Sequence, residues 1–139
     1  MSYLDNIRAK GRDANPFFCL MGIDVAGFGE GRASLRMTVR PDMANGVGWL
    51  QGGMLAAIAD EAMALALYTR LAPGEGIATI SESTSFIRGV REGRIVAEAE
   101  IIRKGRRVAF MECIVRMDDA EKTVLARTTA SFAITAEKV

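Results

Sequence analysis

The chain has 139 residues, half of them hydrophobic, and its 18 Lys and Arg residues nearly balance 17 Asp and Glu residues. This length predicts one domain, residues 1–139, with a single hydrophobic core. The small net charge gives no general attraction to nucleic acid or to an anionic membrane surface. Histidine is absent, which excludes a Ser-His-Asp triad and a usual zinc site, so no metal is expected.

The amino terminus, MSYLDNIRAKGRD, carries charges where a secretory signal needs a continuous apolar segment. No stretch reaches the roughly 18 uncharged residues of a membrane span, so we expect a cytoplasmic protein. No helix-turn-helix or zinc-finger segment is present to read nucleic acid. Cys19 and Cys113 lie far apart in apolar surroundings, which predicts two free, buried thiols.

The first part of the chain predicts a helix and two strands. Residues 3–20 indicate a short amphipathic helix interrupted at Asn15-Pro16, because proline disfavours the helical conformation of the residue before it. The alternating segment ASLRMTV, residues 33–39, is typical of a half-buried strand. We expect it to pair with residues 23–28 across a glycine turn.

The strongest helix signal is MLAAIADEAMALALYTR, residues 54–70, which follows Gly52-Gly53 and stops before Ala72-Pro73-Gly74. Four segments rich in β-branched residues come after it, and each predicts a strand: 76–87, 94–103, 107–117 and 123–135.

A helix that is apolar nearly all round must be covered on every side. A strongly curved antiparallel sheet wrapped around one long central helix would supply most of that cover. A second copy of the chain would close the remaining helix surface and any open sheet edge. The pattern therefore predicts an α+β fold and a homodimer.

Two adjacent carboxylates, Asp60 and Glu61, interrupt the apolar helix, and neither has a basic partner within it. A buried, unpaired carboxylate is costly and is a candidate nucleophile or general base. Helical phase alone does not separate the two residues, and the pair could also mark a narrow solvated stripe.

Directly before this helix stands Gln51-Gly52-Gly53. Glycines allow close approach, and the first N–H groups of a helix lack acceptors and lie at its positive end, so this turn can polarise a carbonyl group. It could equally be a flexible loop end. Asp60 lies roughly 10 Å further along the axis, so the two features can act on one atom only across a dimer of head-to-tail helices.

Asn45, Gln51-Gly52-Gly53 and Asp60 together resemble the motif of hotdog-fold acyl-CoA thioesterases of the phenylacetate-pathway-like (PaaI-like) branch. Three further segments resemble that family in the same order, and the resemblance covers about residues 14–135: TISESTSFIRGVREG (79–93), AEAEIIRKGRRVAF (97–110) and VLARTTASF (124–132). It implies the hotdog fold, dimers that commonly pair into tetramers, and sites at subunit interfaces. It implies no cofactor, since coenzyme A is part of the substrate.

By position, the resemblance makes Asp60 the catalytic carboxylate, as nucleophile or base. Gly52 and Gly53 would polarise the thioester carbonyl, while Asn45 with Gln51 would orient water or substrate.

The resemblance also marks Thr79 and Asn15 as substrate-binding positions. Met54, with Ile58 and Met63, would line the acyl pocket. Basic turns would hold the coenzyme A phosphates, and we assign this role to Arg88, Lys104 and Arg106.

Two residues depart from the family pattern. Gln51 replaces the usual histidine and cannot shuttle a proton, and Gly89 stands where proline is common. The leading hypothesis is an acyl-CoA thioesterase for aryl- or medium-chain substrates. The alternative is a non-catalytic acyl-CoA binding or sensing protein, while a hydratase is disfavoured because its usual histidine is missing.

Overall fold

The computed structural model describes residues 2–136. The amino-terminal segment forms helix α1 (Tyr3–Lys10), a 3-10 turn (Gly11–Ala14) and helix α2 (Pro16–Met21). The break lies at Asn15, whose side-chain oxygen accepts hydrogen bonds from the N–H groups of Phe17 and Phe18. The predicted interruption at Asn15-Pro16 is present, and a further one at Gly11 ends α1, so residues 3–20 form two short helices joined by a 3-10 turn.

The described residues that follow, up to 136, form one sheet, a short 3-10 helix (Pro41–Met43) and one long helix, α3 (Gly52–Tyr68). The six antiparallel strands are β1 (Ile23–Gly29), β2 (Arg32–Thr38), β3 (Glu75–Phe86), β4 (Arg94–Lys104), β5 (Val108–Met117) and β6 (Val124–Ala136), in the spatial order β1-β2-β4-β5-β6-β3. The predicted α+β fold, a curved antiparallel sheet around a central helix, is confirmed.

Helix α3 begins two residues before the predicted start, because the two glycines already adopt helical geometry. It ends at Tyr68, where the Thr69 hydroxyl donates a 2.7 Å hydrogen bond to the Ala66 carbonyl. The same hydroxyl oxygen accepts a 2.7 Å bond from the Gly31 N–H. The helix terminus is thus fixed to the β1–β2 turn.

One side of α3 packs against the concave face of the sheet, where Ile58, Ala62 and Met63 are fully buried. The opposite side is half-exposed, and it carries Ala57, Asp60, Glu61, Ala64 and Tyr68. One protomer therefore covers only part of the helix, and both predicted carboxylates lie on the uncovered side.

Strand β3 lies at the edge of the sheet, and among residues 2–136 its only strand partner is β6. A bulge at Ile80 interrupts its register between Thr79 and Ser81. Because of this extra residue, Thr79 and Glu82 both lie opposite buried β6 residues, Phe132 and Ala130, and so share the face toward α3.

The two cysteines differ. Cys113 lies on β5 and is buried, which raises the pKa of its thiol to about 12. Cys19 is exposed, so the prediction of a buried thiol is wrong there: on the short helix α2, Phe18 and Met21 take the inward positions.

No helix within residues 2–136 is long and apolar enough to cross a membrane.

Candidate active site

The site is built around Asp60, which lies half-exposed at the middle of α3. Thr79 on the edge strand β3 donates a 3.1 Å hydrogen bond from its hydroxyl to Asp60 Oδ1. Within residues 2–136, no Lys or Arg side chain forms an ion pair with Asp60. The structure thus joins two of the residues singled out in the sequence and leaves the carboxylate without a basic partner.

A third residue, Glu82, lies beside Asp60 and Thr79, and nothing in the sequence had marked it as a site residue. Its carboxyl group shares the face of β3 with Thr79 and interacts with the carboxyl group of Asp60. Partial burial, followed by the charge of Asp60, raises the pKa of Glu82 to about 7. A regular strand would place residues 79 and 82 on opposite faces, so only the bulge at Ile80 brings Glu82 to Asp60.

Glu61 faces a different neighbour, the side chain of Asn15. Burial, and then the charge of Asp60, raises the pKa of Glu61, while a hydrogen bond with Asn15 acts in the opposite direction. Asn15 also donates a 2.8 Å bond to the Tyr3 hydroxyl. Asn15 therefore lies beside α3, next to Glu61 and Tyr3.

A pocket of about 280 Å³ opens between these groups and the edge strand. Its polar lining includes Asn15, Glu61 and Thr79, and its apolar walls include Ile77 and Phe132. A larger, open depression of about 810 Å³ lies on the outer face of the sheet and includes none of the predicted site residues. The smaller pocket is the one that adjoins Asp60 through Thr79.

The Gly-Gly turn is shaped by two side chains. A Cβ atom at position 52 would lie 3.1 Å from the Phe86 ring, and one at position 53 would lie 2.5 Å from Gln51 Oε1. Within residues 2–136, the N–H groups of Gly52 and Gly53 have no hydrogen-bond acceptor. The turn therefore presents two free donors, with the Gln51 carboxamide lying over the second glycine.

The Asn45 carboxamide serves its own loop. Its oxygen accepts 3.0 Å hydrogen bonds from the N–H groups of Val47 and Trp49. Its backbone N–H donates to the Trp49 carbonyl at 2.7 Å. The side-chain oxygen of Asn45 thus fixes the loop that leads to Gln51. The predicted role toward water or substrate then falls to the side-chain NH2 group.

The loop also explains the glycine at position 89. A Cβ atom there would lie 2.9 Å from the Trp49 ring, and the Arg91 guanidinium lies 3.9 Å from that ring's centre on a cation–π contact. Proline carries a Cβ, so the family's usual residue would collide with the indole. The indole takes the place that a side chain at position 89 would occupy.

Replacing Gly89 by Ala should displace the Trp49 ring and lower the free energy of unfolding by roughly 1–3 kcal/mol, as overpacking does. Trp49 is the single tryptophan of the chain, so its fluorescence emission should shift in the folded variant. Gly46→Ala is the matched control, because a Cβ there meets no atom within 4 Å. Equal spectra and equal denaturation midpoints for the two variants would contradict the packing argument.

The predicted coenzyme A residues lie at two ends of the sheet. Arg88 follows β3 beyond the Phe86–Ala126 pair, whereas Lys104 lies level with Thr79 across the strands, and Arg106 is in the turn after it. One protomer therefore does not gather Arg88, Lys104 and Arg106 into one patch.

The helix residues predicted to line an acyl pocket differ in how deeply they are buried. Met54 is half-buried and can reach a ligand. Ile58 and Met63 are fully buried in the core beneath the sheet, so the prediction that they line the pocket is wrong. Both side chains point from α3 into the core under the sheet, and not toward the half-exposed side that carries Ala57, Asp60 and Ala64.

Comparison with known proteins identifies the family. The model of the thioesterase superfamily matches residues 48–124. A protein of Haemophilus influenzae described as a putative esterase is 27% identical over 111 residues, covering 80% of each chain.

Solved structures show the same architecture. A conserved protein of Pseudomonas aeruginosa is 26% identical, with a TM-score of 0.81 over 87% of this chain and 94% of that one. A mutant of the phenylacetic acid degradation protein PaaI from Thermus thermophilus is 28% identical, with a TM-score of 0.78 over 86% and 98% of the chains. The chain, with its Gly-Gly turn, central helix and curved sheet, belongs to the thioesterase superfamily and is a thioester hydrolase of the hotdog fold.

Proposed function

We propose that the protein hydrolyses an aryl- or medium-chain acyl-CoA thioester to the free acid and coenzyme A, with Asp60 as nucleophile or general base. The observation that carries this proposal is the Asp60 carboxylate, which is held by Thr79 and has no basic partner within residues 2–136. The reaction needs an activated oxygen nucleophile and donors for the developing oxyanion. Carboxylates and backbone N–H groups supply both, so the proposal includes no resident metal or cofactor.

The oxyanion donors in this proposal are the N–H groups of Gly52 and Gly53. Within one protomer they lie roughly 10 Å along the helix axis from Asp60, too far to share one carbonyl carbon. Strand β3 runs past α3 with Thr79 at Asp60 and Phe86 at Gly52. If the β3 edges of two protomers pair antiparallel, the Gly-Gly turn of one approaches Asp60 of the other.

The surface of β3 supports such a dimer. The strand is 12 residues long and has no second neighbour in the sheet, and Ile80 and Phe86 on it are 57% and 59% exposed. A long edge with exposed apolar side chains is a template for pairing with another chain. The half-exposed side of α3 would be covered in the same step.

The same pairing would gather the basic residues. Reversing the direction of the second β3 carries its Arg88 to the end of the sheet where Lys104 and Arg106 of the first protomer lie. In this arrangement the two subunits together offer three cations to the coenzyme A phosphates. The acyl group would extend toward the 280 Å³ pocket beside Thr79.

Whether Asp60 acts as a base or as a nucleophile, the hydrolysis needs no reactant besides the thioester and water. As a base, Asp60 takes a proton from water, and the hydroxide adds to the carbonyl carbon. The carbon–sulfur bond then breaks, and the thiolate takes up that proton. As a nucleophile, the carboxylate oxygen displaces the thiolate, and water hydrolyses the resulting mixed anhydride.

Release of free thiol from phenylacetyl-, hydroxybenzoyl-, hexanoyl- and palmitoyl-CoA tests the proposal. We expect turnover with at least one of the first three esters and weak turnover with palmitoyl-CoA. If no ester releases thiol while several raise the melting temperature, the protein is instead a non-catalytic acyl-CoA binder, which the absence of histidine at position 51 would explain.

Alanine in place of Gly53 keeps the N–H group but hinders the carbonyl from reaching it, so kcat should fall by roughly 10²–10³-fold, as it does when an oxyanion donor is lost. The new methyl group would obstruct the approach of the thioester carbonyl. It would also displace the Gln51 carboxamide, whose Oε1 atom lies 2.5 Å from the new Cβ position. Stability should not fall, because a flexible side chain yields easily and alanine gains up to about 1 kcal/mol over glycine in a helix.

Steady-state thiol release and thermal denaturation of the same preparation measure the two effects separately. Gly27→Ala, on β1 and with no atom within 4 Å of the new Cβ, is the control for an added methyl group. Wild-type turnover in the stable Gly53→Ala protein would remove the Gly-Gly turn from the reaction.

A further inference from the structure

The contact between Asp60 and Glu82 joins two elements, α3 and the bulged edge of β3. Thr79 donates its hydroxyl hydrogen to Asp60 Oδ1. The bulge places Glu82 on the same face of β3 as Thr79, where its carboxyl group interacts with that of Asp60. Resting on the proposed function, we infer that Glu82 is a positioning residue that shares a proton with Asp60, so that the carboxylate pair acts as the general base toward water.

The surroundings of this pair are acidic or neutral. On α3 the neighbouring titratable groups are Glu61 and Tyr68, and from α1 the Tyr3 phenol faces Glu61. The β6 residues opposite β3 on this face are apolar or hydroxylic. Among residues 2–136, no cation forms an ion pair with Asp60, Glu61 or Glu82. Two carboxyl groups in contact without a cation hold one proton between them over a wide pH range.

The property that matters for catalysis is the pH at which the carboxyl pair loses that proton. The pKa of Glu82 is raised to about 7, first by burial and then by Asp60. Below pH 7 Glu82 therefore keeps its proton in the contact with Asp60. Above pH 7 Glu82 loses that proton, and the pair can take one from water.

This assignment gives the chain a base that titrates near neutral pH without histidine, which it lacks. A base works best when its pKa is close to the operating pH. In the hydrolytic step the proton moves from water to the pair, the hydroxide bonds to the carbonyl carbon, and the carbon–sulfur bond breaks. The thiolate then takes the proton, and the doubly ionised pair is restored.

The test is the pH dependence of kcat between pH 5.5 and 8.5 for the wild type and Glu82→Gln. In the wild type, kcat should rise with a midpoint near pH 7. Glutamine keeps a hydrogen-bond donor for Asp60 but holds no titratable proton, so kcat should be flat. It should be roughly 10- to 100-fold below wild type at pH 8 and converge with it toward pH 5.5, with KM little changed.

Glu112→Gln is the matched control. Glu112 also belongs to a carboxyl pair, with Glu100 across β4 and β5, and that contact likewise raises the pKa of Glu112. It lies on the outer face of the sheet, so its removal should leave the wild-type profile unchanged.

Three outcomes would overturn the inference, and they differ in what they say of the proposed function. A flat profile in the wild type would overturn the inference whatever the variants do. A rising profile that Glu82→Gln retains would overturn it while leaving the proposed function intact. Full turnover in Asp60→Asn would instead reject the proposed function, and the inference with it.

Discussion

Asp60→Asn should lower kcat for acyl-CoA hydrolysis by roughly 10²–10⁴-fold, the range of general base catalysis, with little change in substrate binding. Asparagine has nearly the shape of aspartate, and its oxygen can still accept the 3.1 Å hydrogen bond from Thr79. It can neither take a proton from water nor attack the thioester. Free-thiol release measures kcat, and the rise in melting temperature with a slow acyl-CoA substrate measures binding.

Glu61→Gln distinguishes the two adjacent carboxylates of α3. Glu61 lines the pocket together with Asn15, whereas Asp60 accepts a hydrogen bond from Thr79 and lies beside Glu82. We expect the Glu61 variant to change KM more than kcat. If it loses turnover while Asp60→Asn retains it, the catalytic carboxylate is Glu61, and the motif-based assignment is wrong.

The architecture could be predicted because its signals are local. The apolar run after Gly52-Gly53 and the alternating segment at residues 33–39 each bury a definite face, so the pattern of apolar residues reveals both the element and its orientation. Each of the six strands lies within one or two residues of its predicted bounds. Cys19 was misplaced because an apolar neighbourhood in the sequence does not specify which side of a six-residue helix faces inward.

The site was predictable only in part, because it depends on contacts between distant segments. The motif and the resemblance indicated Asp60, but the bulge that brings Glu82 to it leaves no mark in a strand with regular alternation. Gly89 departs from the family's usual proline, and only the structure shows that the Trp49 ring fills the space a side chain would need there. Arg88 was grouped with Lys104 by charge alone, although strand direction separates them within one protomer.

Mixing Asp60→Asn and Gly53→Ala protomers should restore activity that neither variant has alone. If each site combines the Gly-Gly turn of one subunit with Asp60 of the other, a mixed dimer contains one intact site and one doubly altered site. Random pairing makes half of the dimers mixed, so about a quarter of wild-type activity should return.

Co-expression with two different affinity tags isolates the mixed dimer, whose thiol release should be about half that of the wild type per dimer. A double variant, Gly53→Ala with Asp60→Asn, paired with wild-type protomers is the sharper control. In that dimer each site has one altered component, so activity should be nearly absent despite one unaltered chain. If it instead keeps half of the wild-type activity, each site is built within a single subunit, and the Gly-Gly turn must reach the substrate beside its own Asp60.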